Sequence, residues 1–237
     1  SPGVPLNIKP IEEAKAAGIP ITNEIELAAS ALKEPLIAIT GTNGKTTVTT
    51  LIGEMFKADG KTAYVGGNIG KPLLDYITEG LKCDVVVAEL SSFQLELTQR
   101  LIPAVAVFTN LEEDHLDRYP DMEAYSAAKK RLLSACDKNS FVVLNYDSPN
   151  VSRLAAENPG KLMWFTKKDP LKVGGEFAEQ FMGTYYNAAA KQLVCKVTGK
   201  EELFDLAQLR LFGDHNKENL MAAICAARAM GVSAKAI

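Results

Sequence analysis

Short apolar runs alternate along this chain with stretches whose apolar positions recur every three or four residues. Leu36–Ile39, Thr62–Val65, Asp84–Ala88, Ala104–Thr109, Phe141–Leu144 and Leu162–Phe165 are too brief for helices and are predicted as strands. Between them, helical spacing is predicted from Val48, Leu51, Ile52 and Met55, and over Pro72–Glu79, Glu123–Ala135 and Pro149–Glu157. Apolar strands alternating with helices predict a parallel sheet covered on both faces. From Gly183 to Leu211 the pattern changes to short alternating strands with turns near Ala189 and Gly199, a small antiparallel extension. A final helix is predicted over Asn216–Met230, with Leu220, Ala223, Ile224 and Ala227 on one face, Asn216 as N-cap and Gly231 as C-cap. At the other end, Ile11–Ala17 reads as a helix, Ile19–Thr22 as a strand and Glu24–Ser30 as a helix. That resembles the last β-α-β step of a Rossmann-like domain, and a packed N-terminal arm fits the pattern equally well. The fold class is therefore α/β: a mostly parallel sheet with a P-loop, helices on both faces and a small antiparallel extension.

The strand at Leu36 runs into Gly41-Thr42-Asn43-Gly44-Lys45-Thr46-Thr47 and then into a helix. Gly41 and Gly44 let the backbone curl so that successive N–H groups face an anion, and the new helix adds the positive end of its dipole. Lys45 brings a cation to the outer phosphates, and the Thr46 hydroxyl is placed to ligate their magnesium. The general P-loop spelling sets four residues between its glycines; here Thr42 and Asn43 alone separate them. An ordinary strand-turn-helix corner is the plainer alternative, and the register of Gly, Lys and Thr after a strand favours nucleoside triphosphate binding.

In an open parallel sheet, ligands sit beyond the carboxyl ends of the strands. Two further strands end in polar chemistry, one in Glu89-Leu90-Ser91-Ser92-Phe93-Gln94 and the other in Asn110 through His115. The prediction is that these ends share one edge with the phosphate loop. Glu89 takes the place of the acid that helps hold magnesium in P-loop proteins. His115 reads equally as a hydrogen-bonded structural residue. Helical phase puts Lys129 on the stripe of Met122, Tyr125, Leu132 and Cys136 and leaves Lys130 outside it. Such a lysine must pair or lose its charge. Pattern alone favours a snorkelling lysine paired with Glu89 or Asp114 over carbamylation by CO₂.

Composition narrows the classes. Apolar residues make up 47% and charged residues 23% of 237, with a net charge of −3 and no basic block, which argues against nucleic acid or an anionic membrane as partner. No apolar run approaches the ~20 residues of a membrane span. Cys83, Cys136, Cys195 and Cys225 are scattered, as expected of free thiols in a reducing cytosol. Both ends read as cuts in a longer chain.

As a set, GTNGKTT, GGNIG, ELSSFQLE, TNLEEDHLDRYP, the AAK of YSAAKKRL and GDHNKEN resemble the Mur ligases over nearly the whole chain. The resemblance implies a cytoplasmic, monomeric, ATP-dependent amide ligase of peptidoglycan synthesis. It would join D-glutamate to UDP-N-acetylmuramoyl-L-alanine through an acyl phosphate, with Mg²⁺, two ions expected, as cofactor. It implies ATP contacts at Gly41, Thr42, Asn43, Gly44, Lys45, Thr46, Thr47, Asn216 and Asn219. Lys45, His115 and Lys129 would be catalytic. Thr46 and Glu89 would hold one metal, and His115 with carbamylated Lys129 would bear on a second. Ser1, Pro2, Gly3, Asn68, Gln94 and His115 would meet the nucleotide-sugar substrate. It further implies that residues 1–33 close an N-terminal UDP-binding domain, that 34–237 form the central ATP-binding domain, and that a C-terminal domain is missing, leaving the fragment without turnover. One residue fewer separates His115 from Lys129 than in a familiar spelling of the family, which loosens the implied placing of Lys129. The rival readings are another Mur-type or folylpolyglutamate-type ligase and a non-catalytic ATP-binding module.

Overall fold

Leu36–Thr40 (β1) is buried at every position, as a strand covered on both faces must be. The computed structural model describes residues 2–115, 117–206 and 213–237. Ahead of β1 lie α1 (Lys9–Ala16) and α2 (Glu24–Ala31). After it come α3 (Lys45–Ala58), β2 (Ala63–Gly67), α4 (Leu73–Thr78), β3 (Val85–Glu89), α5 (Ser92–Leu95), β4 (Val105–Phe108) and α6 (Met122–Ser134). The chain continues through β5 (Phe141–Asn145), α7 (Pro149–Ser152), a 3₁₀ turn (Arg153–Glu157), β6 (Lys161–Thr166), α8 (Pro170–Val173) and α9 (Gly175–Glu179). It closes with β7 (Gly183–Asn187), β8 (Gln192–Cys195), β9 (Glu202–Asp205) and α10 (Asp214–Ala229).

The nine strands form one sheet in the order β2-β3-β1-β4-β5-β6-β7-β8-β9. Pairing is parallel from β2 to β7 and antiparallel from β7 to β9, so the expected extension is present. The last stretch predicted as strand, from Ala207 onward, lies outside the described residues. Strand side chains alternate between two cores. Ile37, Ile39, Val85, Val87, Val105 and Val107 meet α3 and α10 on one face. Leu36, Ala38, Val86, Ala88, Ala106 and Phe108 meet α2, α4 and α6 on the other. At about 25 cal/mol per Å² of apolar surface, these two layers supply most of what holds the fold.

Three local readings are corrected. Ile19–Thr22 is not a strand: Pro20 has no N–H to give a ladder and Ile19 is largely exposed. The helix stop before it is real, because Gly18 adopts φ +73° and Ile19 N–H reaches Ala14 O at 2.9 Å. The last helix begins at Asp214 after an N-cap at Gly213, so Asn216 lies inside its first turn instead of capping it. That helix also has no single apolar face. Asn219 through Ala227 are all buried, since a run rich in alanine lets the sheet and α3 close on it from two sides. Its end matches expectation: Gly231 at φ +77° lets Val232 N–H bond Ala227 O at 3.0 Å.

In the N-terminal segment, α1 buries no residue, whereas Ile25 and Ala28 of α2 enter the core beside β1.

Candidate active site

The turn after β1 is bolted to the end of β4. Thr42 N–H donates to Asn110 O at 2.9 Å, Asn43 N–H to Asn110 Oδ1 at 2.8 Å, and Thr109 Oγ1 donates to Asn43 O at 2.6 Å. Two glycines make this approach possible. A Cβ on Gly41 would stand 1.9 Å from Thr109 Oγ1, and one on Gly44 (φ +84°) would stand 2.2 Å from Asn219 Oδ1. Helix α3 starts directly after Gly44, so the N–H groups of Lys45, Thr46 and Thr47 have no preceding turn to bond. With the helix dipole behind them, they have the chemistry to receive an anion. Lys45 Nζ folds back onto Thr42 O at 2.9 Å. Burial draws its pKa below the usual lysine value, while Glu89 and Asp114 push the other way.

Strands β3, β1 and β4 are neighbours, with Ile39 opposite Glu89 and Thr40 opposite Phe108. The expected shared edge is therefore real. Glu89 is 2% exposed, and its carboxylate accepts the Thr46 hydroxyl on Oε2 at 2.7 Å and Asn68 Nδ2 on Oε1 at 2.7 Å. Thr46 Oγ1 and Glu89 Oε2 are hard oxygen donors of the kind Mg²⁺ selects. Among the described residues no group of three His, Cys, Asp or Glu side chains could hold a metal unaided. The set fits an ion that takes its other ligands from phosphate and water.

Lys129, on α6, is 2% exposed, so it does not snorkel. Nor does it pair with Glu89 or Asp114. Its Nζ donates to Gly41 O at 2.8 Å and lies 4.7 Å from the Tyr125 ring centroid. Burial, then repulsion from Lys45, lowers its pKa to about 7 against the weaker pull of Asp114 and Glu89. The Tyr125 hydroxyl reaches Thr42 Oγ1 at 3.1 Å, tying α6 to the phosphate loop a second time. His115 is exposed with φ +54°, its Nε2 3.5 Å from Asp114 Oδ2 and its ring packed on Phe93 at 5.0 Å.

A cavity of about 530 Å³ opens beside the loop and is lined by Asn43, Gly44, Asn219 and the neighbouring ends of β4, β6 and α10. Asn219 Nδ2 lies 3.5 Å from Asn216 Oδ1. Sequence reading missed Asn110, Lys167, His215 and Glu218, which also line it. Their signal was available, since Lys167 follows a strand end, His215 precedes Asn216 and Glu218 lies between Asn216 and Asn219. Gln94 lies elsewhere. It is 3% exposed, its Oε1 accepts Ser91 N–H at 3.0 Å in a capping box, and its Nε2 donates to Glu24 Oε1 at 2.8 Å. Gly3 O accepts from Arg118 Nη1 at 3.4 Å, which sets the Pro2-Gly3 turn against the His115 segment. Ser1 lies outside the described residues.

The family described as Mur ligase middle domain matches residues 39–227. A UDP-N-acetylmuramoylalanine--D-glutamate ligase of Geotalea daltonii is 46% identical over 94% of this chain and 47% of its own length. One of Pelotomaculum thermopropionicum is 41% identical over 100% of the chain and 50% of its own. The chain thus spans about half the length of the curated relatives it matches. Among solved structures, a pseudomurein peptide ligase type C from Methanothermus fervidus shares the fold, with TM-score 0.67 at 20% identity over 98% of this chain and 54% of that one. A UDP-N-acetylmuramoyl-L-alanyl-D-glutamate--2,6-diaminopimelate ligase gives TM-score 0.62 at 23% identity over 95% of this chain and 47% of that one. With a family match over residues 39–227 and relatives above 40% identity across 94–100% of its length, the chain belongs to the Mur ligase middle domain family.

Proposed function

We propose that this chain is the ATP-binding core of a cytoplasmic ligase that joins D-glutamate to UDP-N-acetylmuramoyl-L-alanine in peptidoglycan synthesis. The observation that carries the reading is the Thr46–Glu89 pair at the mouth of a phosphate loop, in a chain whose relatives bear that ligase's name. Residues 34–237 are the catalytic core, and residues 1–33 are the end of a UDP-binding domain with its linker, α2 being the part seated on the sheet.

In this reading the loop N–H groups and Lys45 hold the triphosphate, and Asn216 with Asn219 reads the adenine edge through carboxamide donors and acceptors. The substrate carboxylate takes the γ-phosphoryl, ADP leaves, and the amine of D-glutamate displaces phosphate from the acyl phosphate. Lys45 stabilises charge on the transferring group, which is electrostatic work. Thr46 and Glu89 would hold Mg²⁺, which supplies charge neutralisation at the phosphates. His115 and Lys129 would serve a second ion. A lysine with a pKa of about 7 is partly unprotonated at neutral pH. Its amine can add to CO₂, forming an N–C bond and releasing one proton, to leave a carbamate anion. Asn68, Gln94 and the Pro2-Gly3 turn are the substrate-side candidates.

The test is phosphate release by the full-length protein with ATP, Mg²⁺, UDP-N-acetylmuramoyl-L-alanine and a panel of amino acids. D-Glutamate alone should support release. Release with a different acceptor would assign the chain to another branch of the family, and ATP binding without release under any condition would favour a non-catalytic module.

A further inference from the structure

Strand β2 ends in Gly66-Gly67 and runs into a turn at Asn68, and what this end approaches is Glu89. Gly67 is in register with Glu89, and a Cβ on Gly67 (φ +99°) would stand 2.4 Å from the Glu89 carbonyl oxygen. Only glycine lets the two backbones come this near in this conformation. The next residue then grips Glu89 at two points. Asn68 N–H donates to Glu89 O at 2.8 Å, and Asn68 Nδ2 donates to Glu89 Oε1 at 2.7 Å. A glutamate carboxylate turns easily about its last torsion. With Oε1 held by Asn68 and Oε2 by the Thr46 hydroxyl, this one has a single plane.

We propose that Asn68 is a positioning residue for Glu89, fixing Oε1 so that Oε2 stays beside Thr46 and faces the cation. This assigns Asn68 a task distinct from contact with the nucleotide sugar, and it rests on the reading of Thr46 and Glu89 as magnesium ligands. The carboxamide is essential because it donates. An aspartate of the same shape would set two carboxylates against each other.

The experiment is calorimetric titration of ADP into the full-length protein, once with Mg²⁺ and once with a chelator. Loss of a group that orients a metal ligand typically weakens metal affinity by 10–100-fold. Asn68→Ala should therefore weaken ADP binding by about tenfold or more with Mg²⁺ and leave chelator-phase binding within about twofold of wild type. The isosteric Asn68→Asp should lose at least as much, and it replaces the alanine variant if that protein does not fold. Equal losses in both titrations would mean a merely structural role and overturn the proposal. Unchanged Mg²⁺-dependent binding in Asn68→Ala, beside a clear loss in Glu89→Gln, would overturn it while sparing the magnesium reading. No effect of Glu89→Gln on the Mg²⁺-dependent part would overturn both.

Discussion

The Thr46 hydroxyl and the Glu89 carboxylate, 43 positions apart in sequence, meet at 2.7 Å where the first turn of α3 faces the end of β3. Neither residue is informative alone. Together they make the pair of hard oxygen donors on which the magnesium reading rests.

Thr46→Val keeps the side chain's shape and removes its hydroxyl. Glu89 Oε2 then loses its donor, and leaving a buried acceptor unpaired costs about 1–3 kcal/mol. The expected result is an unfolding free energy lower by that amount, read as a lower urea midpoint at unchanged m. Mg²⁺-dependent ADP binding, read by calorimetry, should weaken at least tenfold.

Gly44→Ala should be tolerated poorly. The position is left-handed, and the new Cβ would lie 2.2 Å from Asn219 Oδ1. Left-handed strain alone costs roughly 1–2 kcal/mol, and the clash adds to it. Thermal melts should show the destabilisation, and nucleotide affinity should fall because Asn219 is displaced. A variant as stable and as tight-binding as wild type would contradict this geometry.

Lys129 gives the stability a pH slope of known sign. Its folded pKa is depressed to about 7 from 10.5. Between those values the unfolded chain binds more protons, so stability rises with pH across the window. Below about pH 7 the full cost of burying the charge remains. In CO₂-depleted buffer, Lys129→Met should be more stable than wild type near pH 6.5 by an amount on the order of a few kcal/mol. The gap should close toward pH 10. Urea unfolding at several pH values checks it, and a pH-independent difference would be the contrary result.

Asp59 gives a slope of the same sign at the acid end, but there the charged form is the one the fold stabilises. Ser233 and Lys61 hold its carboxyl at about 2, from 3.8, tying the end of α3 to the segment after α10. Its contribution is present above pH 3.8 and is lost as pH falls toward 2. Asp59→Asn should flatten that part of the acid-unfolding curve and leave the neutral-pH nucleotide affinity unchanged.

Much of this was legible in the sequence because short continuous apolar runs and the glycines of the phosphate loop are local signals. Strands β1 to β6 and the adjacency of Lys45, Thr46 and Glu89 followed from them. Lys129 was placed inward by helical phase, yet its partner was not foreseen. A main-chain oxygen such as Gly41 O leaves no mark in the residue string, whereas carboxylates such as Asp114 do. Asn68 and Gln94 show the same limit. Resemblance implies substrate contacts for both, and the hydrogen bonds their carboxamides make to Glu89 and Glu24, in other segments, leave no mark in the sequence either. Ile19–Thr22 failed because apolar content was read without asking which neighbour would supply a ladder.

Lys45 rests on Thr42 O and Lys129 on Gly41 O, so both side-chain nitrogens are moored to uncharged oxygens of the same loop. A phosphate arriving at Lys45 displaces a peptide dipole from that ammonium, with no carboxylate bonded to it to be released first.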